Sequence, residues 1–259
     1  MKNKTLQDFI AVYLQNHPLF FSFIRPQEAF LFHKYKKYLH SPILDFGCGD
    51  GFFAETVFGE HFLDTGLDIE TERTKEALAT HVYKKVLYYD GNIIPLKTKT
   101  QSTVISNCVL EHIPDLKKSL HEVYRVLRPG GYFLTSVMAD KWEEYQAGAK
   151  VLGPLYKKFM RKRQVHHNLL SAAQWRAVFE EVGFTITEEV GYVSKTNGFW
   201  LDIAHYLSIP SLITRLLFHK WVLSPALYKK LQTASWIEKK IQIPVPATKS
   251  AAIFYVLRK

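Results

Sequence analysis

This 259-residue sequence predicts an α/β fold built on a parallel sheet, and two observations carry that expectation. From position 42 onward, short apolar runs alternate with helical patterns, the rhythm of strand–helix–strand units. Directly behind the first apolar run lies Asp45-Phe-Gly-Cys-Gly-Asp-Gly51, a turn with glycine at alternate positions. A strand, a glycine turn and a helix open the nucleotide-binding half of a doubly wound sheet. Alternate glycines cost backbone entropy, so the turn implies that a ligand comes close to bare backbone.

The elements follow in order. Ile43–Phe46 reads as the first strand, with a helix running to about Phe58. Phe62–Leu67 reads as a strand and Thr71–Val82 as a helix; Val86–Tyr89 and Val104–Asn107 are the third and fourth strands. Over Asp115–Leu127 the residues Leu116, Leu120, Val123, Tyr124 and Leu127 share one helical face. Arg128-Pro-Gly-Gly131 stops that helix, and Tyr132–Met138 is the fifth strand. Residues 140–170 break the rhythm with a basic run, Lys157–Arg163, and then His166-His167. Ser171 caps a helix that Gly183 closes. Phe184–Val193 and Ala251–Arg258 read as strands, and the roughly 55 residues between them are too many for a hairpin, which makes them an insertion.

Composition narrows the class. Hydrophobic content of 47% and charged content of 22% are those of a globular protein. Two cysteines, Cys48 and Cys108, give no disulfide framework and fit a reducing compartment. The apolar run near the start is too short for a signal peptide, and no stretch is long enough to span a bilayer, so a cytoplasmic location is expected. Net charge is +10, yet residues 41–150 hold 12 Lys/Arg against 16 Asp/Glu. The positive excess therefore lies in attachments outside the central module. It implies an anionic partner, or simply a solvated surface.

The loop itself constrains the ligand. A dinucleotide fingerprint needs glycine three places after Gly49, where this chain has Phe52. A carboxylate at Asp50 also disfavours a pyrophosphate at the helix start. Asp68 ends the second strand, about 20 residues past the loop, where a carboxylate accepts both ribose hydroxyls. With Asp45 and Asp90, it outlines one crevice at successive strand ends. The implied ligand has a ribose, hydrogen-bond donors and no phosphate.

Five ordered blocks then carry a resemblance across residues 41–193: LDFGCGDG (44–51), GLDI (66–69), YDGNIIPL (89–96), VISNCVLEHIPDLKKSLHEVYRVLRPGGYFLTS (104–136) and EEVGFTI (180–186). Through them the chain resembles the class I S-adenosylmethionine-dependent methyltransferases, in particular their small-molecule, type 11-like branch. The resemblance implies a Rossmann-like doubly wound seven-stranded sheet, mostly parallel with an antiparallel last strand, helices on both faces and helical lid insertions. It implies S-adenosylmethionine as cofactor, with Gly47, Cys48 and Gly49 letting backbone approach its methionine part. Asp45 would orient the loop and the ammonium end, Asp68 would hold the ribose diol, and Ile69 would pack on the adenine. Asp90 and the Gly91 amide would read the adenine edge, Asn107 would lie beside the methionine moiety, and His112 would face the transferred methyl. The expected activity is methyl transfer by in-line displacement, which depends on holding donor and acceptor aligned. A base helps where the acceptor is a hydroxyl. Candidates are His112, His166 and His167, each of which also fits a purely structural hydrogen bond. Adjacent histidines on an extended segment point to opposite faces. No cluster has metal-ligand spacing, so no metal is expected.

Three units are expected: an N-terminal helical cap (1–40), the cofactor domain (41–193 with 250–259), and a basic aromatic helical insertion (194–249). In the insertion Leu212, Ile213, Leu216, Leu217, Val222 and Leu223 fall on one helical side, with Thr214, Arg215 and Lys220 on another. That pattern serves as a substrate lid or lays residues 205–240 on a membrane surface. The acceptor is then a small or lipid-linked molecule, anionic in character. An RNA methyltransferase is an alternative suggested by the basic run, although no RNA-binding motif accompanies it and NCVLEH lacks the Asn/Asp-Pro-Pro-aromatic tetrad of many base-methylating relatives. A non-catalytic cofactor-binding module is the other alternative.

Overall fold

Ahead of the glycine loop the chain is helical. Helix α1 (Leu6–Asn16) opens with a capping box, in which Thr5 Oγ1 accepts from the Asp8 amide and the Asp8 carboxylate accepts from the Thr5 amide at 2.8 Å. Helix α2 (Arg25–Lys34) carries Pro26 in its first turn, where a missing N–H leaves nothing unpaired. The computed structural model describes residues 3–60, 62–69 and 71–259. The sheet and its crossovers follow as β1 (Ile43–Phe46), α3 (Phe52–Phe58), β2 (Leu63–Asp68), α4 (Thr71–Ala79), β3 (Tyr83–Tyr88), β4 (Gln101–Asn107), α5 (Leu116–Val126) and β5 (Leu127–Met138). Then come α6 (Ala147–Gln164), α7 (Ala172–Val182), β6 (Thr185–Tyr192), α8 (Lys195–Leu207), α9 (Ile209–Phe218), α10 (Pro225–Lys230), α11 (Thr233–Glu238) and β7 (Ala252–Arg258).

The seven strands lie in the order β3-β2-β1-β4-β5-β7-β6, with β7 antiparallel to both its neighbours and the remaining pairs parallel. Strand order reverses between β1 and β4, so the crevice outside their carboxyl ends is the natural ligand position. Alternation along the strands feeds two cores. Ile43, Leu134, Phe254 and Val256 pack with α1, α2, α3 and α8, whereas Leu44, Phe133, Ile253, Tyr255 and Leu257 pack with α5 and α7. Helices thus cover both faces, as expected of a doubly wound sheet.

Several boundaries differ from expectation for local reasons. Strand β3 is Tyr83–Tyr88 rather than Val86–Tyr89, because Lys84 and Lys85 sit at the sheet edge and hide the pattern. Asp115 is not in α5 but caps it, accepting from the Lys118 amide at 3.1 Å. Arg128–Gly131 lies inside β5: pairing runs from Gln101↔Leu127 to Thr103↔Tyr132 with a register shift that absorbs the extra residues. The insertion between β6 and β7 is four helices, tied to the N-terminal helices by Gln27, whose Nε2 donates to Asn197 Oδ1 at 3.0 Å. Val222 and Leu223 do not continue the α9 face, because His219 turns left-handed at φ 55° and ends the helix.

Candidate active site

The glycine loop shows why it needs its glycines. Gly47 stands at φ +81°, where a Cβ would run into the Val109 side chain. The amides of Gly47 and Cys48 both donate to the Leu67 carbonyl, at 2.8 and 3.1 Å. Gly49, at φ +57°, donates to Asp68 Oδ2 at 2.8 Å, while the Ile69 amide donates to Asp68 Oδ1 at 2.8 Å. Asp68 therefore fastens the loop to the end of β2 at the edge of the crevice. Asp45 is buried and accepts the Tyr83 hydroxyl at 2.7 Å. Burial pushes its carboxyl up to about 7, with the Tyr83 hydrogen bond opposing and the Asp68 charge adding.

These groups surround a crevice of about 480 Å³ at the carboxyl ends of the strands. Asp45, Gly47, Cys48, Gly49, Asp68, Ile69, Gly91, Asn107 and His112 all line it. Asp90 does not: its carboxylate turns back onto Asn92, accepting that residue's amide at 2.9 Å in an exposed turn. The N-terminal helices supply walls that sequence reading missed, among them Tyr13, His17, Phe21 and Arg25. The crevice fits a ribose-bearing cation. It offers left-handed backbone, the Asp68 carboxylate and an exposed apolar Ile69, while Arg25 pairs with Glu28 at 2.8 Å and Arg73 lies 3.9 Å from Asp50.

Beneath Asn107 is a buried hub. Glu28 accepts from Arg25, from Asn107 Nδ2 at 2.9 Å, from Cys108 Sγ at 3.1 Å and from the Tyr192 hydroxyl at 3.3 Å. Asn107 Oδ1 in turn accepts the Ser136 hydroxyl at 2.6 Å. The Asn107 side chain is thereby oriented from both ends. The only sequence signal for this hub was the i,i+3 pair in Arg25-Pro-Gln-Glu28, which looks like any surface ion pair.

A second chamber of about 290 Å³ adjoins the crevice and shares Phe21, Arg25, Cys108 and His112 with it. His112 stands in the shared wall. Its Nδ1 lies 3.2 Å from the Val165 carbonyl, an atom that only accepts, so the neutral ring carries its proton there and leaves Nε2 with a lone pair. Partial burial lowers the His112 pKa, which favours the neutral ring. His166 lines the chamber, 5.0 Å from His112 between ring centres, and burial, with His112 and Arg161 adding, pushes it down to about 3. His167 lines neither cavity; its side chain is exposed and only its amide engages, donating to the Glu111 carbonyl at 2.8 Å. Backbone alternation explains the split between these neighbours. Among the described residues no group of three or more His, Cys, Asp or Glu side chains is arranged to hold a metal.

A family model described as a methyltransferase domain matches residues 19–189. The chain belongs to that methyltransferase family. Its cofactor is S-adenosylmethionine. A "probable S-adenosylmethionine-dependent methyltransferase" of Mycolicibacterium smegmatis is 30% identical over 173 residues, which is 64% of this chain and 61% of that protein. The malonyl-[acyl-carrier protein] O-methyltransferase of Erwinia billingiae is 34% identical over 110 residues, covering 40% of this chain and 42% of that one. This methyltransferase thus spans less than two thirds of the length of both curated relatives. In fold it is similar to a Haemonchus contortus phosphoethanolamine N-methyltransferase solved with phosphomonomethylethanolamine and S-adenosylhomocysteine, with a TM-score of 0.58, 16% identity, and 99% of this chain and 58% of that one covered.

Proposed function

We propose that this methyltransferase moves a methyl group from S-adenosylmethionine to a small or lipid-linked acceptor seated in the second chamber. The observation that carries the reading is the shared wall: His112 faces both the crevice and the chamber, so donor and acceptor can meet beside it. S-adenosylmethionine, when bound, supplies a sulfonium methyl that an acceptor lone pair displaces in line, the C–S electrons returning to sulfur. The protein's part is placement. Asp68 and the Gly47–Gly49 backbone hold the nucleoside and methionine ends; Asn107, fixed by Glu28 and Ser136, sets the methionine side. Cys108 and Phe21 close the wall with apolar surface that keeps water away. His112 Nε2 takes the proton of a hydroxyl acceptor, with Nδ1 held on Val165.

The nature of the acceptor draws support from two sides. The malonyl-carrier O-methyltransferase among its relatives acts on a carrier-linked substrate, as its name states. On this chain, Leu212, Ile213, Leu216, Leu217 and Phe218 of α9 are all more than half exposed, and none of the helix is buried. Arg215 lies among them in the sequence, and Lys220, Lys229 and Lys230 follow. An apolar face with flanking cations suits an anionic membrane surface that presents a lipid-linked acceptor. No helix among the described residues is long and apolar enough to cross a membrane, so contact of this kind would be peripheral.

The test is to incubate the purified protein with methyl-labelled S-adenosylmethionine and an extract of its native cells, then follow the label. Label in the lipid or small-molecule fraction is expected. Label in RNA, or tight S-adenosylhomocysteine binding with no transfer to any fraction, would overturn this reading in favour of an RNA enzyme or a non-catalytic module.

A further inference from the structure

We infer that Glu111 and Gln146 form a hydroxyl-reading pair in the second chamber, so that the acceptor presents an uncharged hydroxyl on an apolar body. This rests on the chamber being the acceptor site. Glu111 is 0% exposed and Gln146 2% exposed, and both line the chamber with His112 and His166. Neither carboxyl oxygen of Glu111, neither polar atom of the Gln146 carboxamide, and not Nδ1 of His166 has a hydrogen-bond partner of regular geometry. Other buried orphans among the described residues are single atoms scattered through the fold, whereas these five belong to three residues that line this one space. An unmet buried polar group costs about 1–3 kcal/mol. Five together describe a polar recognition surface.

Their chemistry selects the ligand. Burial pushes the Glu111 carboxyl up to about 8, tempered by its own amide and that of Met138 and by Arg25. At neutral pH it is an acid that donates through O–H and accepts through C=O, and Gln146 likewise does both. A hydroxyl also does both. A carboxylate acceptor would find neutral donors but no buried cation to balance its charge, because Arg25 is paired to Glu28 and Arg163 is exposed. An ammonium would meet an uncharged acid, neutral His112 and His166, and an Asp202 already accepting from Tyr156 at 2.6 Å and from the Gly148 amide at 2.9 Å. The remaining walls include Phe20, Ile24, Met138, Trp142, Met160 and Leu201, which suit one ring or a short chain in about 290 Å³.

The test uses the whole chain saturated with S-adenosylhomocysteine and three probes of one shape: 4-propylphenol, 4-propylbenzoate and 4-propylbenzylamine, read by ligand-observed NMR. The phenol should bind at least tenfold tighter than either charged probe. Glu111→Leu and Gln146→Leu should each weaken it tenfold or more, with S-adenosylhomocysteine affinity within twofold of the parent. Glu111→Gln should keep the phenol bound and abolish the loss of binding that the parent shows as pH rises through about 8. Tighter binding of the amine or the carboxylate, or phenol binding unchanged in both leucine variants, would overturn the inference. If Glu111→Leu does not fold, Gln146→Leu and the pH profile of Glu111→Gln still decide. Failure of S-adenosylhomocysteine to bind the parent would instead count against the proposed function.

Discussion

Asp68 holds two backbone amides and lines the crevice, so one carboxylate builds the loop and, in the proposed function, would also read the nucleoside. Hydrogen bonds to a charged acceptor contribute about 1.5–3 kcal/mol, roughly tenfold to a hundredfold in affinity. Asp68→Ala should weaken S-adenosylhomocysteine binding by at least that much in calorimetric titration; unchanged affinity would remove Asp68 from the site. Two other carboxyls make stability depend on pH. Asp45 and Glu111 are raised from 3.8 to about 7 and from 4.5 to about 8. The native state then holds protons that the unfolded chain has released, so their contribution is full below about pH 4 and is lost as pH rises through 7 and 8. Glu111→Gln should therefore show a smaller fall in Tm between pH 5 and pH 9 than the parent, by scanning calorimetry. Parallel slopes would show that Glu111 does not carry this proton.

At the scale of elements, α9 carries an apolar face that the described residues leave exposed. Serine at both Leu212 and Leu216 should leave Tm unchanged, since both are more than half exposed, and should reduce cosedimentation with phosphatidylserine vesicles severalfold. A fall in Tm with unaltered vesicle binding would mean the face packs on protein instead. The succession of strands and helices and the loop were legible because they rest on local signals, a glycine turn, a carboxylate at the end of β2 and short apolar runs, whereas the seven-stranded sheet was implied by the family resemblance. Less legible was where elements stop. Periodicity carried the α9 face on to Leu223, past the left-handed His219, and placed a stop at Pro129-Gly130, which the sheet absorbs as a register shift. A one-dimensional pattern has no access to a turn made by backbone conformation alone.

Across the whole molecule, the buried Glu28 joins the N-terminal helices to β4, to Cys108 just beyond it and to β6. Glu28→Ala leaves Arg25 without its counter-charge and Asn107 without its anchor, and should cost about 3 kcal/mol or more. Unfolding should remain a single transition, because the cap and the sheet share one core; a separate early transition for the cap would contradict this. Such long-range parts of the site escaped sequence reading. Glu28 meets partners 79 to 164 positions away, and His112 meets Val165 across 53. Residues lying near one another in the chain, such as Gly47 to Gly49, were found.

The wall made by Phe21, Arg25, Cys108 and His112 also bears on the order of events in turnover. The crevice has the exposed Ile69 in its wall and the chamber the exposed Arg163, so in the proposed arrangement each ligand would have its own route to solvent. Neither partner would then have to leave before the other is replaced. Initial-rate kinetics should then follow a random-order pattern, and an acceptor with a second reactive position should be methylated twice in one residence.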